Sequence, residues 1–369
     1  MLQTLETGVK GGKWFSLIDK VWKKDNLSAG WFRTFMNRGS AGVDGQSIKQ
    51  FTAQLSKELD KLQGELRDGS YDPQPVRRCW IPKMGSKELR PLGIPAVRDR
   101  IPQGAIRNVI EPIFEHVFAE HSYGFRPGRG CKDALRRVDH LLGKGKVWVV
   151  DVDFKGYFDT IPHDKLMARV EELISDGKLL ALLWKYLKAG VMDGLKGWEP
   201  TEQGTPQGAV ISPLLANLYL NPLDHLMAAA GYDMTRYADD FVVQCRSEEE
   251  ANAALEKIRQ WAQKNGLIIH PTKTRIVDAS QKGGFDFLGY HFERGMKWPR
   301  PKSMDKFKES IRQKTRRTQG KSMREIIASV NPMMRGWFEY FKHSHWNVFT
   351  GVDGWVRMRL RSGALRSSA

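Results

Sequence analysis

Cysteine is almost missing from this sequence: Cys79, Cys131 and Cys245 are scattered and odd in number. They offer no disulfide framework and no paired spacing for zinc, and such usage suits a reducing compartment. Long apolar runs are also missing, and none approaches the roughly 20 residues that span a bilayer. Met1 to Lys13 lacks the apolar core of an export signal. Internal repeats and low-complexity tracts are absent. Acidic residues are in deficit: 42 Asp and Glu against 59 Lys and Arg leave a net charge of +17. An excess of that size points to a polyanion, and with membrane set aside the partner is nucleic acid.

What is present suits a soluble protein of two or three domains. The 369 residues are 41% hydrophobic and 27% charged, ordinary values for chains that bury a core. Trp14, Ile18, Val21 and Trp22, then Phe51, Leu55, Leu59 and Leu62, recur at helical spacing. Between them runs a glycine-punctuated loop over 37–45, with Arg38 and Gly39 at its start. Its backbone could approach a phosphate, although a plain surface loop has the same composition. Pro73, Pro75, Pro82, Pro91 and Pro95 exclude helix from 71 to 96. There, 76–83 and 89–94 read as arms of a β-ribbon turning near Gly85-Ser86 and carrying Arg77, Arg78, Lys83, Lys87 and Arg90. Helices are expected over 101–115 and 131–142. The stretch Tyr123-Gly124-Phe125-Arg126-Pro127-Gly128-Arg129 between them interleaves aromatic and basic residues, a pattern suited to nucleic acid.

Two stretches concentrate the acids. Val147-Trp148-Val149-Val150-Asp151-Val152-Asp153-Phe154 reads as a buried strand ending in carboxylates, with Asp151 and Asp153 on one face by alternation. A lone buried carboxylate is costly, so a metal or cationic partner near the strand end is expected. Thr235-Arg236-Tyr237-Ala238-Asp239-Asp240-Phe241-Val242-Val243 reads as a hairpin with paired acids at its tip. An Asp-Asp pair by itself is an ordinary turn feature. Helices are expected over 163–190, 211–227 and 247–265, and a short hairpin over 284–292. From 300 to 369 the chain holds 16 Lys or Arg and five Asp or Glu, so +11 of the net charge lies there. Helical spacing of Phe307, Ile311, Ile326, Trp337 and Phe341 makes this stretch a small basic helical unit able to grip a phosphate backbone. Acids on separate strands in a basic chain suit two-metal phosphoryl transfer, in which divalent ions stabilise attacking and leaving oxygens.

Beyond spacing, the ordered segments carry a resemblance. Asp153-Phe154-Lys155-Gly156-Tyr157-Phe158-Asp159, Thr205-Pro206-Gln207-Gly208 and Tyr237-Ala238-Asp239-Asp240 resemble successive motifs of reverse transcriptases, specifically those encoded by bacterial group II introns. The likeness extends through Trp80-Ile81-Pro82-Lys83, Arg90-Pro91-Leu92-Gly93-Ile94-Pro95, Ser122-Tyr123-Gly124-Phe125-Arg126-Pro127, Ile211-Ser212-Pro213-Leu214-Leu215-Ala216-Asn217 and Phe287-Leu288-Gly289-Tyr290.

The resemblance implies an α+β right-hand polymerase. Fingers with an N-terminal extension would cover 1–145, a palm with an antiparallel sheet 146–298, and a helical thumb, the maturase region, 299–369. It implies that Asp153, Asp239 and Asp240 hold two Mg2+ ions, with Mn2+ as a substitute, and that Asp240 either binds directly or orients its neighbour. Lys83 and Arg90 would clamp the triphosphate, while Phe154, Phe158 and Gln207 would line the nucleotide site, Phe158 as the gate against a 2′-hydroxyl. Lys273 would protonate the leaving pyrophosphate. Arg38, Gly39 and Arg126 would meet template or primer, and Phe287, Leu288 and Gly289 would grip the primer end. The implied partners are an RNA template, a DNA or RNA primer, deoxynucleotides and a group II intron RNA in a ribonucleoprotein, in a bacterial cytoplasm.

The departure from that family is at the end of the chain. Relatives continue past the stretch like Trp355-Val356-Arg357-Met358-Arg359-Leu360-Arg361, whereas this sequence stops at Ala369. The expectation is a shortened thumb without target-DNA cutting. Two rivals remain at this level: a non-catalytic RNA-binding splicing factor on the same fold, and a domesticated enzyme of defence or repair. The intact acids speak against the first.

Overall fold

The computed structural model describes residues 12–82, 89–194, 196–316 and 320–364. The N-terminal part is helical: α1 (Ile18–Val21), α2 (Lys24–Met36), α3 (Ile48–Ala53) and α4 (Leu55–Asp68). Ser47 closes a capping box with Gln50 at the start of α3, and Gly69, with φ +85°, ends α4 in the left-handed conformation. The expected ribbon follows as β1 (Val76–Pro82) and β2 (Leu89–Ile94), antiparallel with Trp80 opposite Pro91. Its expected turn at Gly85-Ser86 lies outside the described residues.

Next come α5 (Val97–Glu115), α6 (Cys131–Gly143) and β3 (Trp148–Val152), each within a few residues of its expected range. The helix expected over 163–190 is divided into α8 (His163–Glu171) and α9 (Gly177–Lys188), preceded by the single turn α7 (Tyr157–Thr160). Asp176 accounts for the break. Its carboxylate accepts from Lys178 N and Leu179 N, capping α9, and from Leu17 N and Ile18 N at the start of α1. A hairpin that sequence did not indicate, β4 (Val191–Asp193) and β5 (Gly197–Glu199), adds to the ribbon. β4 runs parallel to β1, giving the order β2-β1-β4-β5.

The centre is an antiparallel sheet of β6 (Asp233–Tyr237), β7 (Asp240–Cys245), β3 and β8 (Arg275–Asp278), in the order β6-β7-β3-β8. It packs against α10 (Ser212–Ala229) and α11 (Glu248–Lys264). Apolar residues of the N-terminal helices, α5, α8 to α11 and one sheet face form a single continuous core, with Ile101, Ile106, Val150, Leu183, Leu220, Phe241 and Ile258 all fully buried. A second core under β9 (Phe285–Phe287), β10 (Tyr290–Glu293) and β11 (Met296–Pro299) joins the sheet to the C-terminal unit. That unit is α12 (Pro301–Lys314), α13 (Met323–Phe341) and α14 (Asn347–Ala364), with a small core of its own around Phe307, Ile311 and Val330. No helix among the described residues is long and apolar enough to cross a membrane.

Candidate active site

The acid-bearing strands meet as neighbours. β3 pairs with β7 antiparallel, Asp151 opposite Val242 and Val152 opposite Phe241. One step further in that register sets Asp153 across from Asp240. β6 and β7 are joined by the two residues Ala238 and Asp239, with Tyr237 opposite Asp240. Ala238 adopts φ +59°, unusual for a residue with a Cβ and a conformation that needs outside support. The tip thus offers Asp239 and Asp240 beside the end of β3, where Asp153 stands free of the ladder.

The electrostatics show how crowded the acids are. Burial raises the Asp239 carboxyl, and the charge of Asp153 adds to the rise. Asp240 is exposed at the start of β7. The protein packed about it, together with Asp151, Asp239 and Asp153, brings its carboxyl up to about 7 against the pull of Arg300. Asp151 is raised to about 6 by burial, despite Arg275 Nε at 3.3 Å from its Oδ2. A second cation answers the cluster: Lys273 Nζ stands 3.1 Å from Asp153 Oδ2. Four carboxylates served by so few cations form an oxygen-rich, charge-deficient set, the donor chemistry that hard divalent ions take. Among the described residues no three Asp, Glu, His or Cys side chains are drawn close enough to enclose an ion.

The expected residues Gln207 and Phe158 share one neighbourhood, within electrostatic reach of Arg90 through Asp159. Gln207 Nε2 donates to Asp159 Oδ2 at 3.1 Å. Its loop is zipped to the Phe158 turn by Thr205 N to Phe158 O and Gly204 N to Ile161 O, both 2.7 Å. His163 adds a 2.7 Å bond to Gly204 O. Phe158 is half-buried, its ring edge-on to Tyr157. Arg90 is exposed on β2 and near enough for its charge to bear on Asp239 and Asp159. Lys83 lies outside the described residues.

Comparison with known proteins decides the family. Residues 81–292 match the family described as "Reverse transcriptase (RNA-dependent DNA polymerase)". The chain is a member of the reverse transcriptase family. Residues 304–368 match "Group II intron, maturase-specific domain", so the resemblance to group II intron-encoded proteins holds as well. The reverse transcriptase is 39% identical over 293 residues to Protein YkfC of Escherichia coli K12, covering 69% of this chain and 76% of that one. It is 45% identical over 192 residues to the group II intron-encoded protein LtrA of Lactococcus lactis subsp. cremoris, covering 52% of this chain but only 31% of LtrA. Among solved structures, Candida albicans telomerase with a fragment of telomeric RNA overlaps 86% of this chain and 64% of that one, at 12% identity and a TM-score of 0.49. The α+β, right-hand polymerase class expected from sequence is the fold of this family, and members generally use divalent metal ions.

Three expected site residues are placed elsewhere. Phe154 is 4% exposed and packs on Tyr157 and Phe241 within the core; alternation after Asp153 turns it away from the cleft and from any nucleotide. Phe287 is 1% exposed in the second core, leaving Leu288 and Gly289 at the hairpin tip with φ +46° and +86°. Arg126 cannot reach a phosphate. Its guanidinium is buried over the Phe118 ring, bonded to both Glu115 oxygens at 2.9–3.1 Å and to the carbonyls of Ala119 and Ser122. It braces the loop that carries Gly124. Arg38 is exposed with φ +47°. Gly39 lies against Arg100, where a Cβ would stand 2.7 Å from Nη1, and Arg77 donates to Ala41 O at 2.8 Å, so the 38–45 loop is pinned to the start of α5.

Sequence reasoning passed over several residues that the fold brings to the site. Arg78 faces Asp159 electrostatically, and Thr274 Oγ1 accepts from Asp153 N at 3.2 Å. Arg300 lies near Asp240, with a buried Nε that has no partner. Arg236, Asp224 and Asn217 lie beneath the hairpin tip.

Proposed function

We propose that this reverse transcriptase copies RNA into DNA by two-metal phosphoryl transfer, with Asp153, Asp239 and Asp240 as the metal-binding acids. The observation that carries this reading is the arrival of Asp153 beside the Ala238-Asp239 turn, two acids from separate strands in electrostatic contact. Two Mg2+ ions, or Mn2+ in their place, would supply activation of the primer 3′-hydroxyl and neutralisation of the charge gathering on the phosphates. The primer oxygen attacks the α-phosphorus of a deoxynucleotide and the bond to pyrophosphate breaks, which is chiefly a matter of positioning.

The side chains divide that work. Arg90 meets the triphosphate, and Lys83 shares that task. Gln207, fixed by Asp159, lies beneath the incoming nucleotide, and Phe158 crowds its 2′ carbon. Leu288 and Gly289 hold the primer end, and Arg38 and Gly39 lie along the template. Lys273, released from Asp153 as that acid takes a metal, is free to protonate the departing pyrophosphate. In this reading residues 1–145 act as fingers, 146–298 as palm and 299–369 as thumb.

The partners are an RNA template, a DNA or RNA primer and deoxynucleotides. The maturase-specific match and the basic C-terminal unit support binding of a group II intron RNA and help with its splicing and mobility. Recognition would rest on shape and phosphates more than on base edges.

Primer extension on an RNA template with Mg2+, wild type against Asp239→Ala, tests the proposal. Extension by wild type that the substitution abolishes is expected. RNA binding with no extension by wild type would leave only the splicing scaffold.

A further inference from the structure

Among the described residues Arg236 is the largest of the fully buried side chains, and none of its guanidinium touches solvent. Burying a cation so completely is expensive unless each of its donors is answered. Here they are. Nε donates to Asp224 Oδ1 at 2.8 Å and Oδ2 at 3.1 Å, and Nη2 to Asp224 Oδ2. Nη1 donates to Asn217 Oδ1 and to the backbone carbonyl of Ala238, both at 2.9 Å. Asn217 passes the restraint on through Nδ2 to Gly124 O at 2.7 Å. The main chain of Arg236 is itself tied down, its N to His121 O at 3.0 Å and its O from Tyr123 N at 2.9 Å.

The Ala238 carbonyl is an unusual acceptor for such a group. It belongs to the peptide plane whose other end is the nitrogen of Asp239, so fixing that oxygen fixes the plane from which the Asp239 side chain departs. The same residue holds φ +59°, a state an alanine leaves readily unless something over-determines it. A planar guanidinium with several fixed donors can hold a carboxylate and a carbonyl at once, which an ammonium on a flexible stem cannot do equally well. An apolar pair of similar size would fill the space without the desolvation cost, so filling space does not explain the ion pair.

We propose that Arg236, oriented by Asp224 and Asn217, is the positioning residue that aims Asp239 into the metal site, so that its loss is read as weaker divalent-cation binding. This rests on the two-metal reading of the acids. Arg236 touches neither substrate nor ion; it acts through the turn.

The test replaces the pair together, Arg236→Met with Asp224→Leu, so that no charge is left buried alone, and sets it beside the single variant Arg236→Lys. Thermal unfolding, primer–template affinity, Mn2+ binding by electron paramagnetic resonance and single-turnover extension across a Mg2+ titration are measured on each. Expected are wild-type melting and primer–template affinity, with Mn2+ affinity lowered by about tenfold or more, the usual effect of removing a group that orients a ligand. The Mg2+ needed for half-maximal extension rises in step, and Arg236→Lys falls between. A folded double variant with wild-type Mn2+ affinity would overturn the proposal and leave Arg236 as a packing element. Should the double variant not fold, Arg236→Lys decides: unchanged Mn2+ affinity overturns the proposal, and a loss supports it. Failure of the wild type to extend any primer would sink the polymerase reading instead, while Mn2+ binding would still judge Arg236.

Discussion

Lys273 places its ammonium 3.1 Å from Asp153 Oδ2, on the loop whose Thr274 hydroxyl also receives the Asp153 backbone N–H. The two chain segments that carry these residues are fastened beside each other by Asp153 O from His270 N at 2.7 Å. Lysine thus occupies the position a metal would contest. Both partners are well open to water, 53% and 39%, so the pair adds at most about 1 kcal/mol to stability. Lys273→Ala is therefore expected to melt with the wild type while its single-turnover extension slows by about 10²-fold or more, the scale of a lost general acid. An unchanged rate would remove Lys273 from proton transfer.

The crowded acids make stability depend on pH in a definite direction. Asp240 at about 7 and Asp151 at about 6 both lie above the usual carboxylate range. The folded protein therefore keeps protons that the unfolded chain has already lost, and folding weakens as pH rises from about 4 towards 7. The melting temperature of the metal-free protein should fall between pH 5 and pH 8. Asp240→Asn should flatten that fall and melt higher than wild type at pH 8. Mg2+ should raise the melting point more at pH 8 than at pH 6, because its ligands must first lose their protons. A melting point that climbs with pH, indifferent to Asp240→Asn, would contradict the arrangement.

How much of this was readable beforehand follows from the physics of each segment. The β3 run and the Asp239-Asp240 hairpin were legible because strong local patterns and their pairing agree. The hairpin of β4 and β5 was not, since strands of three residues carry no periodicity and are made by docking on β1. Phe154 and Phe287 were assigned to the site by the motifs that carry the resemblance, although alternation alone turns each inward. The loop arginine Arg126 looked like a phosphate contact, and Glu115, eleven residues earlier on a helix, took it first. One signal was present and unread: Asn217, Asn221 and Asp224 form a polar stripe at helical spacing along an otherwise apolar, buried helix. Such a stripe asks for buried partners: Arg236 answers Asn217 and Asp224, and the backbone at Val117 and Ala119 answers Asn221.

Gly124 lets the 122–127 loop lie directly on the Ala238-Asp239 turn. A Cβ added there would stand 2.3 Å from Ala238 N and 2.9 Å from Tyr237 C, both backbone atoms with little room to retreat. Gly124→Ala should cost about 1–3 kcal/mol of stability from overpacking, and its activity should fall further than melting alone explains because the turn is displaced. Denaturant titration beside primer extension at low temperature separates the two effects. A folded Gly124→Ala enzyme with full activity would show that the tip tolerates movement.

Phe158 stands half-buried between the core and the Gln207 loop, edge-on to Tyr157 with ring centroids 5.5 Å apart. Trimming it to alanine removes a partly buried ring, a cost of roughly 2 kcal/mol, below that of a fully buried phenylalanine. Ribonucleotide incorporation relative to deoxynucleotide should rise by about tenfold or more, since a shape-based filter loses its wall. Competition between the two sugars at one template position reads the ratio directly. Unchanged discrimination in folded Phe158→Ala would assign the gate to another residue.

The C-terminal helices are fastened to the turn between β9 and β10. Tyr340 of α13 donates its hydroxyl to Leu288 O at 2.6 Å, and Tyr290 donates to Tyr340 O at 2.5 Å. Leu288 has φ +46°, and its hairpin turn is held from the other side by Arg300 N to Gly289 O at 2.9 Å. If, as proposed, the 288–289 turn grips the primer and the C-terminal helices act as thumb, this clasp would transmit the thumb's position to the primer. Tyr340→Phe keeps the ring packing and removes one bond, costing about 1 kcal/mol, so the fold survives. Addition of the first nucleotide should proceed at the wild-type rate, because the acids are untouched. Product length in a single binding event, measured with a trap that captures released enzyme, should shorten. Equal product lengths for Tyr340→Phe and wild type would mean that the clasp holds the thumb in place without steadying the primer.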